Sequence, residues 1–148
     1  MNVEPEPDMV AITIGRDRFM ARWERGSSPR TCAAFGRLLP YSQTIIHARW
    51  SGEACWIPLG ELDLTIGQEN TLSRPEPGQI LFYPGGISET EILLPYGVTR
   101  FSCTAGELAG NHFLTVVGGL ERLAALGREI LWHGRRSIRF ESTAASTR

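Results

Sequence analysis

Hydrophobic and polar positions alternate with period two over most of the chain, which is the pattern of strands with one face buried. Val10, Ile12 and Ile14 alternate up to a turn at Gly15-Arg16-Asp17, and Phe19, Ala21 and Trp23 alternate after it, predicting a first hairpin. Ser42–Trp50 is rich in β-branched residues and Ala54–Ile57 is its partner across a Ser51-Gly52 turn, predicting a second. Leu62, Leu64 and Ile66 suggest one more short strand, and Gly67–Gly78 reads as a loop punctuated by Pro75 and Pro77. Further strands are expected at Gln79–Tyr83, stopped by Pro84-Gly85-Gly86, and at Glu89–Leu94, stopped by Pro95-Tyr96-Gly97 and continued by Val98–Cys103. Asn111–Val117 and Arg136–Glu141 complete the set.

Two segments break this rhythm. Ser28-Pro29 is a helix start, and Cys32, Phe35, Leu38 and Leu39 recur at helical spacing up to Pro40. Gly118-Gly119 opens a longer helix with Leu120, Leu123, Leu126, Ile130 and Leu131 on one stripe and Gly134 at its end. About eight strands with only two helices favour a closed antiparallel barrel, because closure removes exposed edges, whereas a doubly wound sheet would need a helix between most strands. The chain of 148 residues is the size of one domain. That domain is expected over 10–141, between a loose proline-rich arm at 1–9 and a frayed tail at 142–148.

Composition narrows the function classes. A net charge of −1 supplies no electrostatic reason to expect nucleic acid or an anionic membrane as partner. No apolar run approaches the roughly 20 residues of a membrane span, and the acidic start MNVEPEPD is unlike a signal peptide. Cys32, Cys55 and Cys103 fit neither a disulfide framework nor a CxxC motif, which suits a reducing compartment and makes the cytoplasm the expected location. The histidines show no metal-ligand spacing, no GxSxG elbow or phosphate loop is present, and no metal or cofactor is expected.

Chemistry concentrates in Gln43–Pro58. His47, Arg49, Trp50, Glu53 and Trp56 fall within ten positions, and alternation predicts Thr44, Ile46, Ala48 and Trp50 on the core side of the strand with His47 and Arg49 opposite. A forked guanidinium takes a carboxylate or carbonyl, and an imidazole exchanges protons near neutrality. An exposed Arg49–Glu53 salt bridge is the plain structural alternative. Tyr83, Glu89, Glu91, Tyr96 and Arg100 form a second group, in which Glu89 and Glu91 read as a solvated strand face and Pro84-Gly85-Gly86 as a turn. His112 is a further candidate at a strand start, and Trp132 and His133 a candidate partner surface.

The order of strands and helices resembles the cyclophilin-like barrel with its two capping helices. Leu39-Pro40, His47–Ala54, Glu69-Asn70, Pro75–Gly86 and Glu91–Gly97 resemble a bacterial family of uncharacterised domains with that fold. That resemblance spans roughly Val10–Phe140 and implies no reaction. Prolyl isomerases of the cyclophilin type carry a Phe-His-Arg run, a Phe-Met-x-Gln-Gly-Gly-Asp segment and a further Asn- and Gly-rich signature, and the chain departs from all three. His47 and Arg49 stand near the expected place with Ala48 between them.

The leading expectation is a small-molecule or peptide-binding barrel, free to form a homo-oligomer, with His47, Arg49, Trp50, Glu53, Trp56, Tyr83 and His112 as ligand-binding candidates. The alternatives are a divergent prolyl isomerase with Arg49 as the catalytic candidate, and a non-catalytic assembly subunit.

Overall fold

The structure is a computed structural model, and it describes residues 8–143. The expected arm and tail lie outside the described residues at 1–7 and 144–148; strand pairing extends to Met9 and Ser142. Eleven strands form: β1 (Met9–Ile14), β2 (Asp17–Trp23), β3 (Tyr41–His47), β4 (Gly52–Gly60), β5 (Thr71–Leu72), β6 (Gln79–Tyr83), β7 (Thr90–Thr99), β8 (Ser102–Cys103), β9 (Gly106–Glu107), β10 (Gly110–Gly118) and β11 (Arg136–Ser142). The helices are α1 (Pro29–Gly36) and α2 (Leu123–His133).

Eight strands run antiparallel in the order β2-β1-β11-β3-β4-β7-β6-β10, and pairing of β10 with β2 closes them into a barrel. Closure satisfies the backbone groups that an open sheet would leave at its edges. Alternation separates two apolar clusters across the wall. Cys55 and Ile57, Ile80 and Phe82, and Ile92 and Leu94 point inward to the main core. Ala54, Leu81, Tyr83 and Leu93 point outward into a second cluster, roofed by Phe101 and Leu108. The 98–109 segment therefore covers one side of the barrel, and β7 is buried on both faces.

The helices close opposite ends. Phe35 of α1 meets Trp23, Tyr41, Phe113 and Phe140 edge-to-face, with centroids 5.1–6.4 Å apart. The Glu69 carboxylate accepts from the Thr31 amide at 2.6 Å and the Thr31 hydroxyl at 2.7 Å. Buried Asn111 donates to Thr31 and to the Gly67 carbonyl, which pins the long loop to the barrel. At the other end Leu123, Leu126 and Ile130 of α2 pack on Cys55, Leu94 and Tyr96. Leu120, in the single 3-10 turn before α2, is exposed rather than part of the buried stripe.

Four local expectations are corrected. Leu62–Ile66 is irregular, because the Asp63 carboxylate accepts from the Thr65 amide at 2.8 Å and Thr65 adopts φ +59°; the short strand here is β5. The second hairpin turns through a 3-10 turn at Arg49–Ser51, not a two-residue Ser51-Gly52 loop. The core side of β3 is Tyr41 and Ile45, with Thr44 exposed, the reverse of the expected facing: Ile45 is the residue that fills the barrel. Finally, β7 runs on through Pro95-Tyr96-Gly97, since Pro95 sits beside the register shift between Gly52 and Ala54, where a missing N–H is tolerated. Strand pairing then stops at Thr99, and β8 forms a separate hairpin with β9.

Gly127 of α2 lies against the Tyr96 ring so closely that a Cβ there would collide with it. Gly127→Ala is expected to lower stability by about 1–3 kcal/mol despite the better helix propensity of alanine. The check is a lower urea midpoint at unchanged m-value.

Candidate functional site

The hub of the site is the 3-10 turn Arg49–Ser51 and the first residues of β4. Its shape is held from behind. The buried Ser51 hydroxyl accepts from the Ser102 amide at 3.0 Å, and the Ser51 carbonyl accepts from the Arg100 amide at 2.8 Å. Gly52 adopts φ +106° with the Val98 carbonyl so close that a Cβ would strike it at 2.6 Å, so glycine is required there. The Glu53 carboxylate accepts from the Val98 amide at 2.9 Å and lies over Gly97. Glu53 thus anchors β7 and makes no salt bridge with Arg49, contrary to the plain alternative.

Three clefts open around this turn. The first, about 540 Å³, is lined by Arg49, Trp50, Arg74, Thr99, Arg100 and Ser102. Arg74 lies 3.8 Å from Glu107, whereas the side chains of Arg49 and Arg100 form no ion pair among the described residues. The second, about 410 Å³, is lined by His47, Arg49, Glu53, Tyr96, Arg128 and Trp132. There the His47 Nε2 lies 2.7 Å from the Tyr96 hydroxyl, while Nδ1 is buried with no partner. Burial first, and then the Arg49 charge, hold the His47 pKa below its ordinary value against an opposing pull from Glu53, so the ring is neutral at pH 7.

The third cavity, about 270 Å³, lies on the outer wall and is lined by Trp50, Trp56, Ser88, Glu91, Ser102 and Cys103, with Thr104 at its edge. The two indoles meet edge-to-face, 5.2 Å between centroids at 85°, and form a right-angled corner. Trp50 is 52% exposed, but Glu91 is only 3% exposed. The expected solvated face at Glu91 is therefore corrected: Trp56 of β4 and the 102–104 segment cover it. Glu91 Oε2 and Trp56 Nε1 are buried without a hydrogen-bond partner. Burial, reinforced by the charge of Glu89, pushes the Glu91 carboxyl up to about 8.

His47, Arg49, Trp50, Glu53 and Trp56 are thus brought together around one turn. Tyr83 lies beside Glu91 across the β6–β7 pairing, and its hydroxyl accepts from the Ile87 and Ser88 amides at 3.0 and 3.4 Å, which shapes the turn next to the third cavity. His112 lines none of the three clefts. Its Nε2 lies 2.7 Å from the Thr115 hydroxyl, which donates to Glu24 at 2.6 Å, in a network that joins β2 to β10. Arg74 and Arg128 join the site through folding alone, from a loop and from α2, and no local sequence signal marks them.

Cys32 and Cys55 are buried, and burial raises their thiols to about 11 and about 12, which leaves them unreactive. Among the described residues no group of three or more His, Cys, Asp or Glu could hold a metal ion, and no helix is long and apolar enough to cross a membrane.

Residues 10–142 match the model of the family described as "Protein of unknown function (DUF3830)". No curated protein matches the chain. Among solved structures, McbB in complex with tryptophan is similar, with a TM-score of 0.69 at 16% identity over 94% of this chain. The chain spans 46% of the length of that protein. The solution structure of the hypothetical protein AF2241 from Archaeoglobus fulgidus is similar with a TM-score of 0.52 at 15% identity, over 95% of this chain and 98% of the other. At these identities the likeness is one of fold.

Because folding holds Glu91 protonated between its ordinary value of 4.5 and about 8, the folded state binds one more proton than the unfolded chain across that window. Its contribution is full below pH 4.5 and is lost as pH rises to 8, on the order of a few kcal/mol. Urea midpoints of the wild type are expected to fall from pH 5 to pH 9 relative to those of Glu91→Gln, which lacks this loss.

Proposed function

We propose that this chain, which belongs to the DUF3830 family, binds a small molecule or a peptide group at the polar–aromatic surface around Arg49–Ser51. One observation carries the reading: Arg49 and Trp50 stand on a turn held from behind by Ser51 and Gly52, and every one of the three clefts is lined by one or both of them. A turn fixed in this way presents a guanidinium and an indole on a backbone that has little conformational freedom left to lose on binding.

Arg49 is the anchor for a carboxylate or carbonyl, and its fork is free to take one. Trp50 gives the apolar remainder of the ligand a face to pack on. Neutral His47, hydrogen bonded to Tyr96, supplies polar contact without adding charge. McbB, which contains a region of this fold, was solved with tryptophan, a molecule of a size these clefts admit. In this reading the barrel over 10–141 works as one cyclophilin-like binding domain in the cytoplasm, and a homo-oligomer is compatible with it.

The test is a calorimetric or NMR titration with a panel of small carboxylic acids and N-acylated dipeptides. Saturable binding with shifts at Arg49 and Trp50 is expected. Arg49→Ala should weaken it about ten- to hundredfold, the effect of losing a charge-assisted hydrogen-bonding group. Binding that is indifferent to both Arg49→Ala and Trp50→Ala would remove the reading.

A further inference from the structure

We infer that the corner formed by Trp50, Trp56 and Glu91 is a subsite for an alkylammonium cation. The inference deepens the proposed binding function, on which it rests, by assigning one class of ligand group to the third cavity.

Three features of the cavity converge on this ligand. The first is its walls. Two indoles at 85° with centroids 5.2 Å apart offer a cation two aromatic surfaces at once, and aromatic faces attract cations through the ring quadrupole. The second is the carboxyl at its base. Glu91 is 3% exposed, lines the cavity and has a buried oxygen with no hydrogen-bond partner. A buried, unsatisfied polar group of this kind is costly, and a ligand that pairs with it recovers that cost.

The third is the surrounding field. Glu89, whose carboxylate accepts from the Gly60 amide at 3.0 Å, is the charged group that acts on Glu91, and its sign favours a cation over an anion. Among the described residues the other side chains around it bring no cation: Trp56 and Pro58 come from β4, Tyr83 from β6, and Ser102, Cys103 and Thr104 from the 102–104 segment. The lining hydroxyls of Ser88, Ser102 and Thr104 can accept but carry no charge. An anion would meet the Glu91 carboxyl here, with no cation in the lining to hold it. A neutral apolar group would leave the Glu91 carboxyl unpaired.

A quaternary or substituted ammonium meets all three features together, packing its alkyl groups on the indoles while its charge faces Glu91. Without such a partner the carboxyl holds its proton near neutrality, so binding below pH 8 releases that proton to solvent.

The test uses the full chain and the intrinsic fluorescence of its tryptophans. Choline and tetramethylammonium are titrated against 3,3-dimethyl-1-butanol, the uncharged isostere of choline. The cations should bind saturably and about tenfold or more tightly than the isostere. Their affinity should rise about tenfold per pH unit below pH 8 and level off above it, with release of about one proton per ligand in weakly buffered solution at pH 6.5. Glu91→Gln should abolish the proton release and cut the cation preference to the smaller part that the indoles supply, while leaving the weak binding of the isostere. Exposed Trp50→Ala, which leaves the buried wall in place, should weaken the cations.

Equal binding of cation and isostere, or a cation preference and proton release that Glu91→Gln leaves undiminished, overturns the inference. If the cations fail in this way while carboxylic acids still bind with dependence on Arg49, the inference falls and the broader reading stands. If neither probe class binds, both fall.

Discussion

Everything that distinguishes this barrel depends on the double coverage of β7. A barrel strand ordinarily buries one face and wets the other, but here Leu93 and Leu81 point outward and are still fully buried, because Phe101 and Leu108 roof them. That roof is attached at the Arg49–Ser51 turn by the Ser51–Ser102 and Ser51–Arg100 hydrogen bonds. The same few bonds therefore complete a second apolar cluster and set the shape of the clefts beside it. Packing and site are one construction in this part of the molecule.

Double coverage also explains the chemistry of Glu91. On a strand with a solvated outer face, its carboxylate would be ionised and of little consequence. Under Trp56 and the 102–104 segment it loses its water, gains no hydrogen bond in exchange, and keeps a proton near pH 8. Proteins seldom leave a buried carboxyl unsatisfied, so the residue stands out against the partly buried carboxylates elsewhere, such as Glu69 with Arg30 or Glu24 with Arg22, which are paired.

Period-two alternation was enough to read β1, β2, β6, β10 and β11 and the closed barrel from the chain, and the density of polar and aromatic residues at 47–56 falls on the turn around which the three clefts open. The facing of β3 was not legible, since Thr44, Ile46 and Ala48 look as core-like as Tyr41, Gln43 and Ile45 until the opposing strands are known. Glu91 was not legible either. Its burial comes from a roof more than ten residues further along the chain, and a local pattern carries no information about such coverage. Arg74 and Arg128 reach the site by the same long-range route. His112 differs from them in lining none of the three clefts, and its Thr115 and Glu24 partners tie it into the barrel seam.

Trp50 divides two electrostatic environments that are unusually close. On one side are Arg49, Arg74 and Arg100, of which Arg49 and Arg100 form no ion pair among the described residues; on the other is Glu91, on which the charge of Glu89 acts. Had Arg49 or Arg100 reached Glu91, each charge would have neutralised the other and the carboxyl would have a lowered pKa instead of a raised one. The indole of Trp50 and the backbone of the Arg49–Ser51 turn stand between them. Leaving the Glu91 carboxyl without a basic partner costs stability as pH rises toward 8, and neither the arginines nor the carboxyl serve as each other's partners. That separation, more than the presence of any single residue, is what distinguishes this turn from a well-paired hairpin.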